Sequence, residues 1–330
     1  MSNIPPRIVL LGGGTGSFTL LQTLKTLTPE LTAIVNMSDD GGSTGTLRDE
    51  YGVLPPGDAR QCLVALSDSP EVRNLFSYRF SEGAIAGHTV GNLIISALEM
   101  QHGSFQKAIE VASNILRITG RVLPVTYDNH TLVVEDGLAV HRGEHAIDGP
   151  LALSKEAVVR LEPAAKLNPE AKRAILDADM VVIAPGSLHG SILPILAVAE
   201  MAEALAATTA QVVCVMNLIN KPLQTDGWHV VDYVEQYERY IGKGQIDIVL
   251  YNTAPISTEL LRRYAADQEF PVEIQADRFG EIRAKAIAGR FVSSAIGAPD
   301  PADTSVQRTL IRHDAHQVGR ELMKIFSTKA

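Results

Sequence analysis

Arg7-Ile8-Val9-Leu10-Leu11-Gly12-Gly13-Gly14-Thr15-Gly16-Ser17 decides the fold. A short apolar run passes straight into glycines, as a buried parallel strand does before it turns into a helix. Phe18, Leu21, Leu24 and Leu27 then recur at helical spacing, and Pro29 ends the pattern. Strand, glycine turn and helix start aim free N–H groups and the positive end of the helix dipole at one point, which suits a phosphate. The same residues also suit a plain strand-to-helix turn with no ligand. Counted from Gly12, the sixth residue is Ser17, where the dinucleotide fingerprint has glycine, and no Lys-Ser/Thr closes a P-loop. A nicotinamide dehydrogenase therefore ranks last among the readings.

The 330-residue chain is 45% hydrophobic and 20% charged, with a formal charge of −9, and its mean hydropathy is near zero. That is the composition of an ordinary globular protein, large enough for a substantial core. The negative charge argues against nonspecific nucleic-acid binding, and no apolar run is long enough to cross a bilayer. Met1 to Pro6 lacks the charged and apolar regions of a signal peptide. Cys62 and Cys214 lie in apolar stretches and read as reduced core residues of a cytoplasmic protein.

Further short apolar runs alternate with helical patterns. Leu31–Val35 runs into Asn36-Met37-Ser38-Asp39-Asp40-Gly41-Gly42-Ser43, and Met180–Ala184 runs into Pro185-Gly186-Ser187. Val212–Met216 ends at Asn217, and Ile246–Leu250 ends at Tyr251-Asn252. This alternation predicts a Rossmann-like, doubly wound α/β fold with a mostly parallel sheet. A single domain over 1–330 is expected. Strand and hairpin signals at about 120–150 predict a small β subdomain inserted in it. A helix is expected from Ile192 to Leu205, and a connector at Ser293–Ser305.

In such a sheet the strand ends meet along one ligand-binding edge. The candidates on that edge are Gly13, Gly14, Thr15, Gly16 and Ser17 for phosphate, with Asn36, Asp39, Asp40, Gly41, Ser43, Gly186, Ser187 and Asn217 beside them. Asp39 and Asp40 are the candidate catalytic groups, able to address a ribose or hold magnesium with a diphosphate. They are equally turn and capping chemistry. Asp58 and Gln61 fit a capping box as well as a ligand role, while Arg60 suits a phosphate. His88 and Asn92, four apart, suit sugar hydroxyls or a base; a satisfied histidine at a helix start is the plainer reading. His141-Arg142-Gly143-Glu144-His145 matches a zinc-protease pattern, but that pattern needs a helix, and Gly143 among strand signals predicts a hairpin. His313 and His316 read as ordinary surface or capping histidines.

Five motifs occur in order: Gly12-Gly13-Gly14-Thr15-Gly16; Asp39-Asp40-Gly41-Gly42-Ser43-Thr44-Gly45; Gly52-Val53-Leu54-Pro55-Pro56-Gly57-Asp58; Gly87-His88 with Gly91-Asn92; and Pro185-Gly186-Ser187-Leu188. Together they resemble the gluconeogenesis factor family (YvcK-type), in the superfamily of 2-phospho-L-lactate transferase (CofD-like). The resemblance covers nearly the whole chain. It implies a cytoplasmic bacterial protein that binds a uridine diphosphate amino sugar of the UDP-N-acetylglucosamine type. It further implies a role linking carbon source to cell-wall precursor supply and cell shape. A regulatory protein partner and a homo-oligomer are expected, and neither nucleic acid nor membrane is. Arg312, before His313-Asp314, joins the ligand candidates. The transferase branch implies the alternative: transfer of a phospholactyl-type group from a nucleotide-diphosphate donor with magnesium. Ser187-Leu188-His189-Gly190-Ser191, Asn220-Lys221-Pro222-Leu223-Gln224-Thr225 and Ala315 depart from the usual family pattern.

Overall fold

In a computed structural model, which describes residues 5–293 and 310–329, strand β1 (Ile8–Gly12) lies at the centre. Ile8, Val9, Leu10 and Leu11 are each at most 2% exposed. Burying side chains of this kind contributes roughly 1.5–3 kcal/mol apiece. Helix α1 (Gly14–Leu27) follows, and then β2 (Leu31–Val35), which pairs parallel with β1. Phe18, Leu21 and Leu24 are buried as their spacing predicts, whereas Leu27 stays 37% exposed at the helix end.

Four helices come next: α2 (Gly42–Tyr51), α3 (Gly57–Leu66), α4 (Pro70–Ser77) and α5 (Val90–His102). Helix α6 (Phe105–Leu116) leads into β3 (Arg121–Pro124). A separate antiparallel sheet then forms from β4 (Thr131–Asp136), β5 (Ala139–Arg142) and β6 (Val158–Glu162), with the short helix α7 (Glu144–Asp148) between β5 and β6. The insertion is therefore shifted from 120–150. Strand β3 pairs parallel with β2 as the edge of the main sheet, and β6 closes the small one. His141 lies on β5, and His145 on α7 beyond Gly143 at φ 88°. The His-x-x-Glu-His stretch thus spans strand, turn and helix rather than one helix face.

The chain returns through α8 (Pro169–Asp177), capped by Asn168 as expected. Strand β7 (Met180–Ile183) follows. The helix expected from Ile192 to Leu205 is broken. A π-helical turn spans Leu188–Ile192, α9 spans Leu193–Leu196 and α10 spans Met201–Ala207. Pro194 near the start of α9 and Glu200 at φ 71° break the regular ladder. Strand β8 (Gln211–Val215), α11 (Val230–Ile241), β9 (Ile248–Asn252), α12 (Thr258–Ala266), β10 (Lys285–Gly289) and α13 (Ala315–Lys329) complete the order. Beyond Ser293, the expected connector lies outside the described residues.

The main sheet has the order β10-β9-β8-β7-β1-β2-β3, and every pairing in it is parallel. Chain direction across the sheet reverses between β1 and β7. In an open α/β sheet the crevice outside the strand ends at that point is where ligands bind. Both glycine turns, after β1 and after β7, open there. Among the described residues no helix is long and apolar enough to cross a membrane.

Candidate functional site

The two turns are packed into each other. A Cβ on Gly16 would collide with the Pro185 carbonyl, and one on Gly13 would come within 3.0 Å of Ser191 Oγ. Glycine at 16 is thus explained by the approach of two backbones. Gly14 explains itself differently. Its N–H is directed at the Asp58 carboxylate, and a Cβ there would stand 2.8 Å from Asp58 Oδ1. The expected free N–H at the start of α1 therefore already faces a carboxyl group of the chain itself.

This corrects the capping-box reading of Asp58. The N-cap of α3 is Pro56, so Asp58 falls inside the first turn and no side chain caps that helix. Its carboxylate reaches across to the first glycine turn instead. Burial, followed by the charge of Asp39, pushes its pKa up to about 7.

Asp39 and Asp40 diverge. Asp39 Oδ1 accepts the Gly41 N–H at 3.0 Å, Oδ2 lies 2.5 Å from a Cβ built on Gly57, and burial raises its pKa. Asp40 Oδ1 accepts the His145 N–H at 2.7 Å, tying α7 to the loop after β2. Asp39 feels the charge of the adjacent Asp40 and Asp58 feels that of Asp39, so three carboxyl groups share this part of the crevice. Among the described residues no group of three or more His, Cys, Asp or Glu side chains is placed to hold a metal ion.

On the β2 side a polar cluster assembles. Ser43 Oγ hydrogen-bonds His88 Nδ1 at 3.0 Å and accepts from Asn92 Nδ2 at 3.1 Å. Arg60 Nε donates to Asn92 Oδ1 at 2.9 Å. His88 lies just outside α5, whose N-cap is Thr89; the Thr89 hydroxyl accepts the Asn92 N–H. Arg60 is 2% exposed, and its NH1 has no hydrogen-bond partner. Burial, and then the neighbouring Arg79 charge, lowers its pKa to about 10.

Asn36 and Asn217 hold backbone. Asn36 Nδ2 donates to the Gly190 carbonyl at 3.2 Å, and its Oδ1 accepts the Ser38 N–H. Asn217 clamps Gly186, accepting its N–H at 3.0 Å and donating to its carbonyl at 2.8 Å. Gly41 is the N-cap of α2. Thr15 contributes its backbone to α1. Ser17 is 1% exposed, with its hydroxyl unpartnered. Arg312 lies at the β8 end of the edge: next to it His313 donates from Nε2 to the Met216 carbonyl at 3.0 Å. His313 is therefore a packed residue, with its pKa lowered to about 4 by burial, while His316 is exposed. Nearby, a cavity of about 210 Å³ opens between the ends of β8 and β9, lined in part by Asn217, Tyr251 and Asn252.

Residues of the insertion complete the crevice and went unpredicted. Glu144 and Asp148 stand at the two ends of α7. Ile147 between them is fully buried, and its carbonyl accepts from Gln224 Nε2 at 2.6 Å. His189 Nδ1 bonds Gln224 Oε1 at 3.2 Å; burial lowers the histidine pKa to about 4, leaving the ring neutral. Glu144 is pushed up to about 9, first by burial and then by the charges of Asp148, Asp39, Asp58 and Asp40. Asp148 Oδ1 accepts from Ser187 Oγ at 2.8 Å and from Lys221 Nζ at 2.6 Å. The i, i+4 spacing of Glu144 and Asp148 was the available signal, and the zinc-like pattern around it pointed elsewhere.

The family profile described as "2-phospho-L-lactate transferase CofD" matches residues 8–292. The gluconeogenesis factor of Listeria innocua is 38% identical over 98% of this chain and 97% of its own length. That of Bacillus subtilis is 35% identical over 97% of this chain and 98% of its own. A crystal structure of a Bacillus halodurans protein, 33% identical, superimposes with a TM-score of 0.88 over 96% of this chain and 99% of that one. The shared fold, the ordered motifs and these full-length matches place the chain in the 2-phospho-L-lactate transferase (CofD) family, alongside its gluconeogenesis factors.

Proposed function

We propose that the chain is a cytoplasmic regulatory protein that binds a nucleotide sugar of the UDP-N-acetylglucosamine type. On this reading it adjusts cell-wall precursor supply and cell shape when growth depends on gluconeogenic carbon, through a protein partner and as a homo-oligomer. Arg60 is the observation that carries the reading. A buried guanidinium with an unpartnered NH1 beside the Ser43–His88–Asn92 cluster suits an anionic, hydroxyl-rich ligand. The name shared by relatives supports the link to carbon supply. Titration calorimetry with UDP-N-acetylglucosamine tests it. Saturable heat that weakens at least about tenfold in Arg60→Met is expected; no heat at millimolar ligand rejects the reading.

A second reading is favoured by the family profile and by the charge interaction of Asp39 with Asp58. Here the chain transfers a phospholactyl-type group from a nucleotide-diphosphate donor. Asp39 and Asp58 would hold magnesium against phosphate oxygens, and the metal would neutralise charge developing on the donor. Metal-dependent release of nucleotide monophosphate, lost in Asp58→Asn, would establish this instead.

A further inference from the structure

Asp148 occupies an unusual place for an acid. It ends α7, where the helix dipole disfavours negative charge, and it adds to a crevice already holding Asp39, Asp58 and Glu144. What holds it is the second turn: the Ser187 hydroxyl at 2.8 Å and the Lys221 ammonium at 2.6 Å converge on the single oxygen Oδ1. Gly190 makes the approach possible, since a Cβ there would stand 2.8 Å from Asp148 Oδ1 and 3.1 Å from Ser187 Oγ. A hydroxyl donor and an ammonium converging on one oxygen is the donor set that a phosphate oxygen takes.

We propose that Ser187 and Lys221 form a phosphate subsite that Asp148 holds shut, and that a phosphate of the bound ligand takes the place of the Asp148 carboxylate. The inference rests on the nucleotide-sugar reading and names where its diphosphate lies. The exchange replaces one anion by another at the same donors and keeps the lysine paired. It needs only a side-chain rotation, because the Asp148 side chain is 41% exposed. The α7 backbone stays anchored by the Asp40–His145 and Gln224–Ile147 bonds. Ser191 Oγ beside Gly13 puts this subsite next to the first glycine turn.

The test is calorimetry of the full chain with inorganic pyrophosphate and, separately, UDP-N-acetylglucosamine. Asp148→Ala is expected to bind pyrophosphate at least about fivefold more tightly than the parent chain. Asp148→Asn, which keeps the size of the side chain and removes its charge, should also tighten binding. Lys221→Gln should weaken binding by a similar factor and abolish the gain from Asp148→Ala. Pyrophosphate binding that is undetectable throughout, or no tighter in both Asp148→Ala and Asp148→Asn, overturns the proposal. If the pyrophosphate series behaves as expected and the nucleotide sugar gives no heat, the subsite stands and the sugar-nucleotide reading falls. If the nucleotide sugar binds while the pyrophosphate series is flat, the reverse holds.

Discussion

Arg60 and Asn92 join two helices through one charge-assisted bond: Arg60 Nε donates to Asn92 Oδ1 at 2.9 Å, between α3 and α5. Asn92 also reaches Ser43, so one amide ties the start of α2 to both helices. Asn92→Ala strands a guanidinium N–H where almost no water reaches. The expected destabilisation is about 2–3 kcal/mol, read from urea denaturation midpoints. A change below about 0.5 kcal/mol, the range of an ordinary surface substitution, would mean that Arg60 finds another acceptor.

Two glycine-to-alanine substitutions separate close approach from backbone conformation. At Gly16 the new methyl meets the Pro185 carbonyl and forces the two turns apart, at a cost of about 3 kcal/mol or more. At Gly42, with φ 43° and open space around it, only the left-handed backbone is strained, at about 1–2 kcal/mol. Paired denaturation curves check the order; a Gly42→Ala effect as large as that of Gly16→Ala would contradict it.

Glu99 gives a pH signature away from the crevice. Its carboxylate accepts the Leu54 N–H at 3.1 Å, and burial pushes its pKa up to about 7. Because the folded value lies above the unfolded one, the native state binds this proton more tightly. The resulting stability is fully present below the unfolded pKa and is lost as pH rises through about 7. Glu99→Gln should flatten the fall in melting temperature between pH 5 and pH 8, both approximate working limits of this titration. An unchanged slope in the variant would assign it to other groups.

Gln224 couples the β8–α11 loop to the insertion through His189 and the Ile147 carbonyl. Gln224→Leu leaves that carbonyl and the neutral His189 ring short of partners. Amide exchange over residues 144–148 should then accelerate by roughly tenfold, as local opening becomes about 1.4 kcal/mol easier. Exchange as slow as in the parent chain would show that Ile147 burial and Asp40 suffice to dock α7.

The central sheet was legible because parallel strands covered on both faces read as near-continuous apolar runs: β1 and β7 carry no polar side chain, β2 only Thr32 and β8 only Gln211. The glycine turns were legible for the same local reason. What sequence left open was the use of each polar residue. Asp58 fits a capping box by spacing, yet the N-cap of α3 is Pro56, two residues earlier, which frees Asp58 to face Gly14. Asp40 looked like the partner of Asp39, but α7, more than a hundred positions away, claims one of its oxygens. Glu144 and Asp148 reach the crevice because the small sheet folds over its rim, a long-range event with no local periodicity, and there Asp148 meets Lys221 from the β8–α11 loop.

Strand β1 takes its second neighbour late: Ile8 pairs with Met180, and Arg7 bonds Asp179 across 172 positions of sequence. During synthesis, the N-terminal half can pair β1 with β2 and β3 while the opposite edge of β1 stays bare until β7 has left the ribosome. A ribosome-bound chain that stops short of residue 180 therefore exposes an apolar strand edge able to recruit foreign strands. The crevice, whose two walls meet only across that seam, exists for a ligand only after this pairing has closed.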